Sequence, residues 1–204
     1  VSPAAQRIVL ASASPRRAEI LAALGIPFEV VPSGVEEILR PDEDGVSAAS
    51  RLAREKARDV ARGRNTPVLA ADTLVFLGRE VLGKPSDAAD ARRMLSRLSG
   101  KTHSVVTGIA LVFDGVLRED HAVSRVRFAG LSPEEIDWYA GTGEPMDKAG
   151  AYAVQGAGAR FIESIEGSPS NVIGLPARAV YALLREAGLL ALALPGAEAL
   201  RGGA

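Results

Sequence analysis

Ile8-Val9-Leu10-Ala11-Ser12-Ala13-Ser14-Pro15-Arg16-Arg17 is the stretch on which the fold turns, and Ala18-Glu19-Ile20-Leu21-Ala22-Ala23-Leu24 follows it. The apolar, β-branched run reads as a buried strand, the small residues with two hydroxyls as a tight loop, and Pro15 as the first residue of a helix. At such a strand–loop–helix corner, free backbone N–H groups and the helix dipole face outward together, and an arginine can add paired contacts to a phosphate. Ser12, Ser14, Arg16 and Arg17 are therefore candidate anion ligands. The plainer alternative is equally open here: Ser14 as a simple helix cap, with both arginines solvated. The glycines and the Lys-Ser/Thr ending of a P-loop are missing.

Composition narrows the chemistry. The 204 residues suit one medium α/β domain, 1–204, with a core of useful size. Charged residues make up 24% and the formal net charge is −1, so no basic field favours nucleic acid. There is no cysteine, which excludes disulfides, thiolate ligands and a thiol nucleophile, and the two histidines are too few for a histidine metal site. Any metal would be a hard divalent cation held by carboxylates, such as Mg²⁺ or Mn²⁺. No apolar run reaches the roughly 18 residues of a membrane span, and Val1–Gln6 does not look like a signal peptide, so the expectation is a cytoplasmic protein off the membrane.

Outward from the opening stretch, Gly25 caps the first helix and Pro27–Val31 is a second strand, followed by a loop with Glu36-Glu37. Ser47–Arg62 has helical apolar spacing, and its charges, Arg51 and Lys56 among them, are expected on a solvated face. Pro67–Ala71 is a buried-type strand that should deliver Asp72-Thr73 at its carboxyl end. Leu74–Leu77 continues extended, and Val81–Pro85 leads to a helix capped near Ser86 or Asp87 with Ala91, Met94, Leu95 and Leu98 inward. His103–Phe113 and Val116–Phe128 form a hairpin about Asp114-Gly115. Ser132-Pro133-Glu134-Glu135 opens a helix with a capping box. Gly143–Gly158 is too rich in polar groups for a plain connector, Phe161–Ile165 is a strand, and Pro176 starts the last helix. The tail, 189–204, is expected to be frayed or packed on a partner. The middle hairpin is expected to splay into a second lobe, leaving a cleft.

Asp72 at a strand end is placed for metal or base work, and Lys84, pinned between Gly83 and Pro85, can aim its ammonium. Glu36, Glu37 and Asp72, if gathered, could hold Mg²⁺. Asp147, Lys148 and Gln155 sit in the Gly-rich segment, where an amide can read a base edge by donating and accepting together. Several cations, several acids and no thiol suggest phosphate-ester hydrolysis with water as nucleophile.

Five blocks carry a resemblance: Leu10–Arg17, Ala70-Ala71-Asp72-Thr73, Gly83-Lys84-Pro85, Leu98–His103 and Asp147–Tyr152. Together they resemble the Maf family of nucleoside triphosphate pyrophosphatases. The resemblance implies cleavage between the α- and β-phosphates with a divalent metal (Mg²⁺, Mn²⁺ or Co²⁺), on a mixed α/β fold of two lobes like the inosine-triphosphate pyrophosphatases, often as a homodimer. It makes Asp72 the catalytic acid, with Lys84 and Glu37 beside it. Ser14, Arg17, Glu37, Lys56 and Lys84 match the charged pocket around phosphates and metal, and Arg16, Thr73 and Gln155 match positions of substrate choice. Glu144–Tyr152 looks like the branch acting on dTTP and UTP, with the 7-methyl-GTP branch as alternative and a non-enzymatic role in septum formation as rival. Gly167–Asn171 departs from that branch, where many members carry an aromatic residue.

Overall fold

The computed structural model describes residues 6–41 and 43–190. Its centre is a seven-stranded mixed sheet. β1 (Ile8–Leu10) runs parallel to both β2 (Phe28–Val30) and β3 (Val68–Leu77). β3 then pairs antiparallel with β5 (Thr102–Phe113), β5 with β6 (Val116–Phe128), and β6 with β7 (Ile162–Glu166), while the short β4 (Glu80–Leu82) folds back on β3. The β5–β6 turn is Asp114-Gly115 with both residues at positive φ, the two-residue turn whose twist matches its strands.

The helices form where caps and periodicity place them. α1 (Pro15–Ala23) begins with proline, α2 (Gly45–Ala61) is capped by Asp44, which accepts from the N–H groups of Val46 and Ser47, and α3 (Ala88–Leu98) is capped by Asp87. α4 (Pro133–Gly141) has the expected capping box of Ser132 and Glu135. α5 (Pro169–Ile173) was not expected, although Ser168-Pro169 repeats the Ser-Pro start of α1 and α4 and Ser168 accepts from Asn171 N–H. α6 (Ala177–Glu186) closes the chain's regular structure.

Three buried clusters follow. One lies between the sheet and α1 with α6, around Leu10, Leu21, Leu69 and Leu184. A second lies on the opposite face under α2, around Val9, Ala53, Ala57 and Ala70. The third, around Leu95, Phe128, Tyr139 and Phe161, joins α3, α4 and the far end of the sheet. Leu189 packs into the first of these, and the rest of the expected tail, 191–204, lies outside the described residues. Among the described residues no helix is long and apolar enough to cross a membrane.

One expectation needs correction. Asp72 does not end its strand: β3 runs on to Leu77, because Asp72 and Thr73 pair with Gly108 and Thr107 of β5. What ends there is the parallel part of the sheet. On its other edge β3 holds β1 only at Val68 and Leu69 and β4 only from Val75. Between those contacts the edge of β3 has no strand neighbour, and there the chain leaving β1 turns away into α1. Asp72 therefore still sits where parallel strands diverge, the place where an open α/β sheet leaves a crevice.

Candidate active site

The crevice is a cleft of roughly 370 Å³. One wall is the opening loop with Ser12, Ser14, Arg16 and Arg17; the floor is Asp72 and Thr73 with Lys56 from α2. The opposite wall is built from Asp147, Lys148 and Gln155, with Glu37 and Lys84 completing the rim. Residues more than a hundred positions apart thus face one space. Glu36 is the exception: it is exposed and lies outside the cleft lining, because neighbours in an extended loop point to opposite sides. Among the described residues no three acidic or imidazole groups gather, so the expected triad of Glu36, Glu37 and Asp72 is a pair.

That pair meets at one ammonium. Lys56 Nζ donates to Glu37 Oε1 and to Asp72 Oδ1, each at 2.5 Å. Lys56 is 7% exposed, not on the solvated face that helical spacing suggested, and it lines the cleft, the position that the resemblance implies. Burial pushes the Asp72 carboxyl above the usual aspartate range, while the charges of Lys56 and Arg17 hold the rise back and Glu37 adds to it. For Glu37 burial acts the same way, yet the Lys56 hydrogen bond and the charges of Lys56, Lys84 and Arg17 outweigh it and hold this carboxyl below the usual range. Two acids at one cation are therefore driven apart in proton affinity. One suits a proton acceptor and the other stays ionised. Lys56 occupies Glu37 Oε1 and Asp72 Oδ1, so a hard divalent ion such as Mg²⁺ would draw on the second oxygen of each carboxylate, Glu37 Oε2 and Asp72 Oδ2.

The opening loop is not a plain cap. Ser14 makes no side-chain capping bond; its N–H donates instead to Ser12 Oγ at 3.2 Å. Arg17 is committed inward, donating to Gly174 O at 2.8 Å, Ser12 Oγ at 3.0 Å and Thr73 Oγ1 at 3.1 Å. Burial lowers its proton affinity and the charges of Asp72 and Glu37 raise it, the balance being a lowering. Thr73 Oγ1 shares a hydrogen bond with Thr107 Oγ1, and Thr107 donates to Asn171 O, so a buried polar chain links α1, β3, β5 and α5. Arg16 is freer: among the described residues its one ion pair is with Asp147, at 3.8 Å.

The facing wall is folded by Glu144, whose carboxylate accepts from Tyr139 Oη at 2.8 Å and from the N–H groups of Ala157 and Gly158 at 3.0 Å each. Gln155 lies exposed inside that loop. Lys148 donates to Asp147 and to Glu144 O, and Gly150 N–H donates to Gly83 O, which docks the Lys84 loop on this wall. Behind it Tyr152 lines the cleft while its hydroxyl bonds His103 Nε2 at 2.8 Å; burial brings this imidazole down to about 4. Sequence reasoning left Thr107 unnamed, gave His103, Tyr152 and Asn171 no role of their own within the stretches it singled out, and put Arg51 on a solvated face. For Asn171 the Ser168-Pro169 helix start was the signal available.

The family model described as "Maf-like protein" matches residues 7–187. A dTTP/UTP pyrophosphatase of Anaeromyxobacter dehalogenans is 53% identical over 90% of this chain and 95% of its own length. One from Aquifex aeolicus is 51% identical over 91% of this chain and 97% of its own. Among solved structures, the Ham1 protein of Staphylococcus aureus superposes with a TM-score of 0.49 at 16% identity, over 89% of this chain and 100% of that one.

Proposed function

The chain belongs to the Maf-like proteins, and from that premise we propose that it is a nucleoside triphosphate pyrophosphatase acting on dTTP and UTP. The observation that carries the chemistry is the divided acid pair at Lys56, with Asp72 raised by burial and Glu37 held ionised. In the proposed reaction Asp72 accepts a proton as water attacks the α-phosphorus; the bond to the bridging oxygen breaks, giving the monophosphate and pyrophosphate. Arg16, Lys84 and Lys148 supply positive charge for phosphoryl oxygens, and the loop N–H groups before α1 add to it. Arg17 holds that loop in shape rather than reaching out alone. Glu37 and Asp72 are the residues that would hold a divalent metal, which when bound would neutralise phosphate charge. Gln155 suits the O4 and N3–H edge of a pyrimidine, since one amide supplies a donor and an acceptor.

The test is to incubate the protein with dTTP, UTP, CTP and 7-methyl-GTP and Mg²⁺, Mn²⁺ or Co²⁺, and to measure pyrophosphate and orthophosphate separately. Pyrophosphate from dTTP and UTP ahead of the others is expected, with Asp72→Asn lower by about 10²–10⁴-fold, the range for one general base. Orthophosphate as first product, preference for 7-methyl-GTP, or full activity of Asp72→Asn would overturn the assignment.

A further inference from the structure

α2 carries more than Lys56. The connection between β2 and α2, residues 31–44, has neither helix nor strand in its described part, and long connections of this kind usually serve function. It lies along α2 and is fastened there at several points, Arg40 to Glu55 at 3.6 Å among them. Asp59 accepts from Ser33 Oγ at 2.8 Å and Gly34 N–H at 3.1 Å; Lys56 takes Glu37; and Arg51 takes the stretch that follows.

Arg51 was expected on a solvated face, yet it is only 9% exposed. Its guanidinium is fully engaged. Nε and Nη2 grip the Glu43 carboxylate at 2.6 and 2.7 Å, Nη1 faces Glu55 at 3.1 and 3.2 Å, and Nη2 also donates to the Ile38 carbonyl at 2.8 Å. Ile38 is the residue after Glu37. The Glu37 side chain itself is 54% exposed, so packing does not hold it in place. Its position rests on the Lys56 bond and on backbone fixed one residue further along. A lysine could not replace this fork, because it has one nitrogen where the site uses three.

We propose that Arg51 is a positioning residue for catalysis, fixing the loop backbone at Ile38 so that Glu37 meets Lys56 and Asp72. The functional half of this proposal rests on the pyrophosphatase assignment; the tether itself does not. In the proposed reaction Arg16, Lys84 and Lys148, which line the cleft from other elements, would hold the phosphates, so releasing the loop affects turnover more than substrate affinity.

The experiment compares Arg51→Met, Glu37→Gln and the double variant. Arg51→Met is expected to lower kcat for dTTP by about 10–100-fold, the scale of a misplaced catalytic group, with KM changed less than about threefold. If Arg51 acts through Glu37, the double variant is no slower than Glu37→Gln alone. Losses that multiply, or a KM that rises with kcat unchanged, overturn the proposal. Hydrogen exchange over residues 34–40 reads the tether without activity: faster exchange in Arg51→Met is expected, and unchanged exchange overturns the proposal even if the wild type is inactive. Wild type that releases no pyrophosphate, with exchange faster as expected, sinks the pyrophosphatase assignment and the functional half while the tether stands. Should Arg51→Met fail to fold, Glu43→Gln weakens the same grip from the solvent side, and the same non-additivity with Glu37→Gln is required of it.

Discussion

Gly108 is a residue whose replacement should reach the active site without touching it. It lies on β5 directly opposite Asp72, and its backbone does not adopt positive φ, so conformational freedom does not explain the glycine. Close approach does. A Cβ built there would stand 2.5 Å from the carbonyl carbon and oxygen of Ala49 and from Ser50 N, all helix backbone. Ordinary carbon contacts need about 3.5–4.0 Å, so Gly108→Ala must lift α2 from the sheet by roughly 1 Å. Overpacking of that kind costs about 1–3 kcal/mol, or roughly 2–12 °C in Tm for a chain of this size. The same helix carries Lys56 two turns further on, where it bridges Glu37 and Asp72. A shift of about 1 Å at a catalytic group can cost on the order of 10²-fold in rate, so kcat should fall far more than the melting point alone suggests. The assay is thermal unfolding together with pyrophosphate release from dTTP. Gly130→Ala, where an added Cβ meets nothing within 4 Å, serves as the control. A Gly108→Ala protein that melts like wild type would refute the close seating of the helix. One that is destabilised but fully active would refute the coupling of that seat to Lys56.

Acid should destabilise the fold through His103, which is 2% exposed and titrates near 4 instead of 6.5. The unfolded chain takes the proton first, so stability falls as pH drops through that window, by about 3 kcal/mol in all. Urea unfolding between about pH 7 and pH 4 should show this slope in wild type and a shallower one in His103→Gln; parallel slopes would count against it. Activity should fall on the acid side, because Asp72, which burial makes easier to protonate, must be deprotonated to accept a proton. A pH profile of kcat/KM flat well into the acid range would contradict Asp72 as base. Arg17→Ala should lower activity on every triphosphate and also lower Tm, since it unties Ser12, Thr73 and Gly174, whereas Arg16→Ala should leave Tm nearly unchanged and alter the ranking of bases. Identical profiles for the two would refute that division. Glu144→Gln removes the carboxylate that gathers Tyr139, Ala157 and Gly158, so discrimination between dTTP and CTP should weaken while pyrophosphate release persists; unchanged discrimination would separate Gln155 from base choice.

The elements were largely legible in the sequence because their signals are local. The hairpin at Asp114-Gly115, the capping box at Ser132 and the apolar stripe of α3 each lie within a few residues. The residues of the cleft were legible as types, since acids and cations in short blocks stand out. Their relations were not. Glu36 and Glu37 are chemically the same, and which of them faces inward depends on a loop that sequence periodicity does not describe. Lys56 and Arg51 read as solvent-facing because helical spacing separates an apolar face from a polar one, but it cannot say what covers the polar face. On α2 that cover is the chain's own preceding loop. A sequence signal did exist, in the combination of two features rather than in either. Arg51, Lys56 and Asp59 repeat along one side of the helix, and the connection before it is long, acidic and without periodicity. A charged stripe next to a charged, structureless connection of matching length is what a helix with a loop strapped over it should look like, and the strap then carries whatever acid falls beside the lysine.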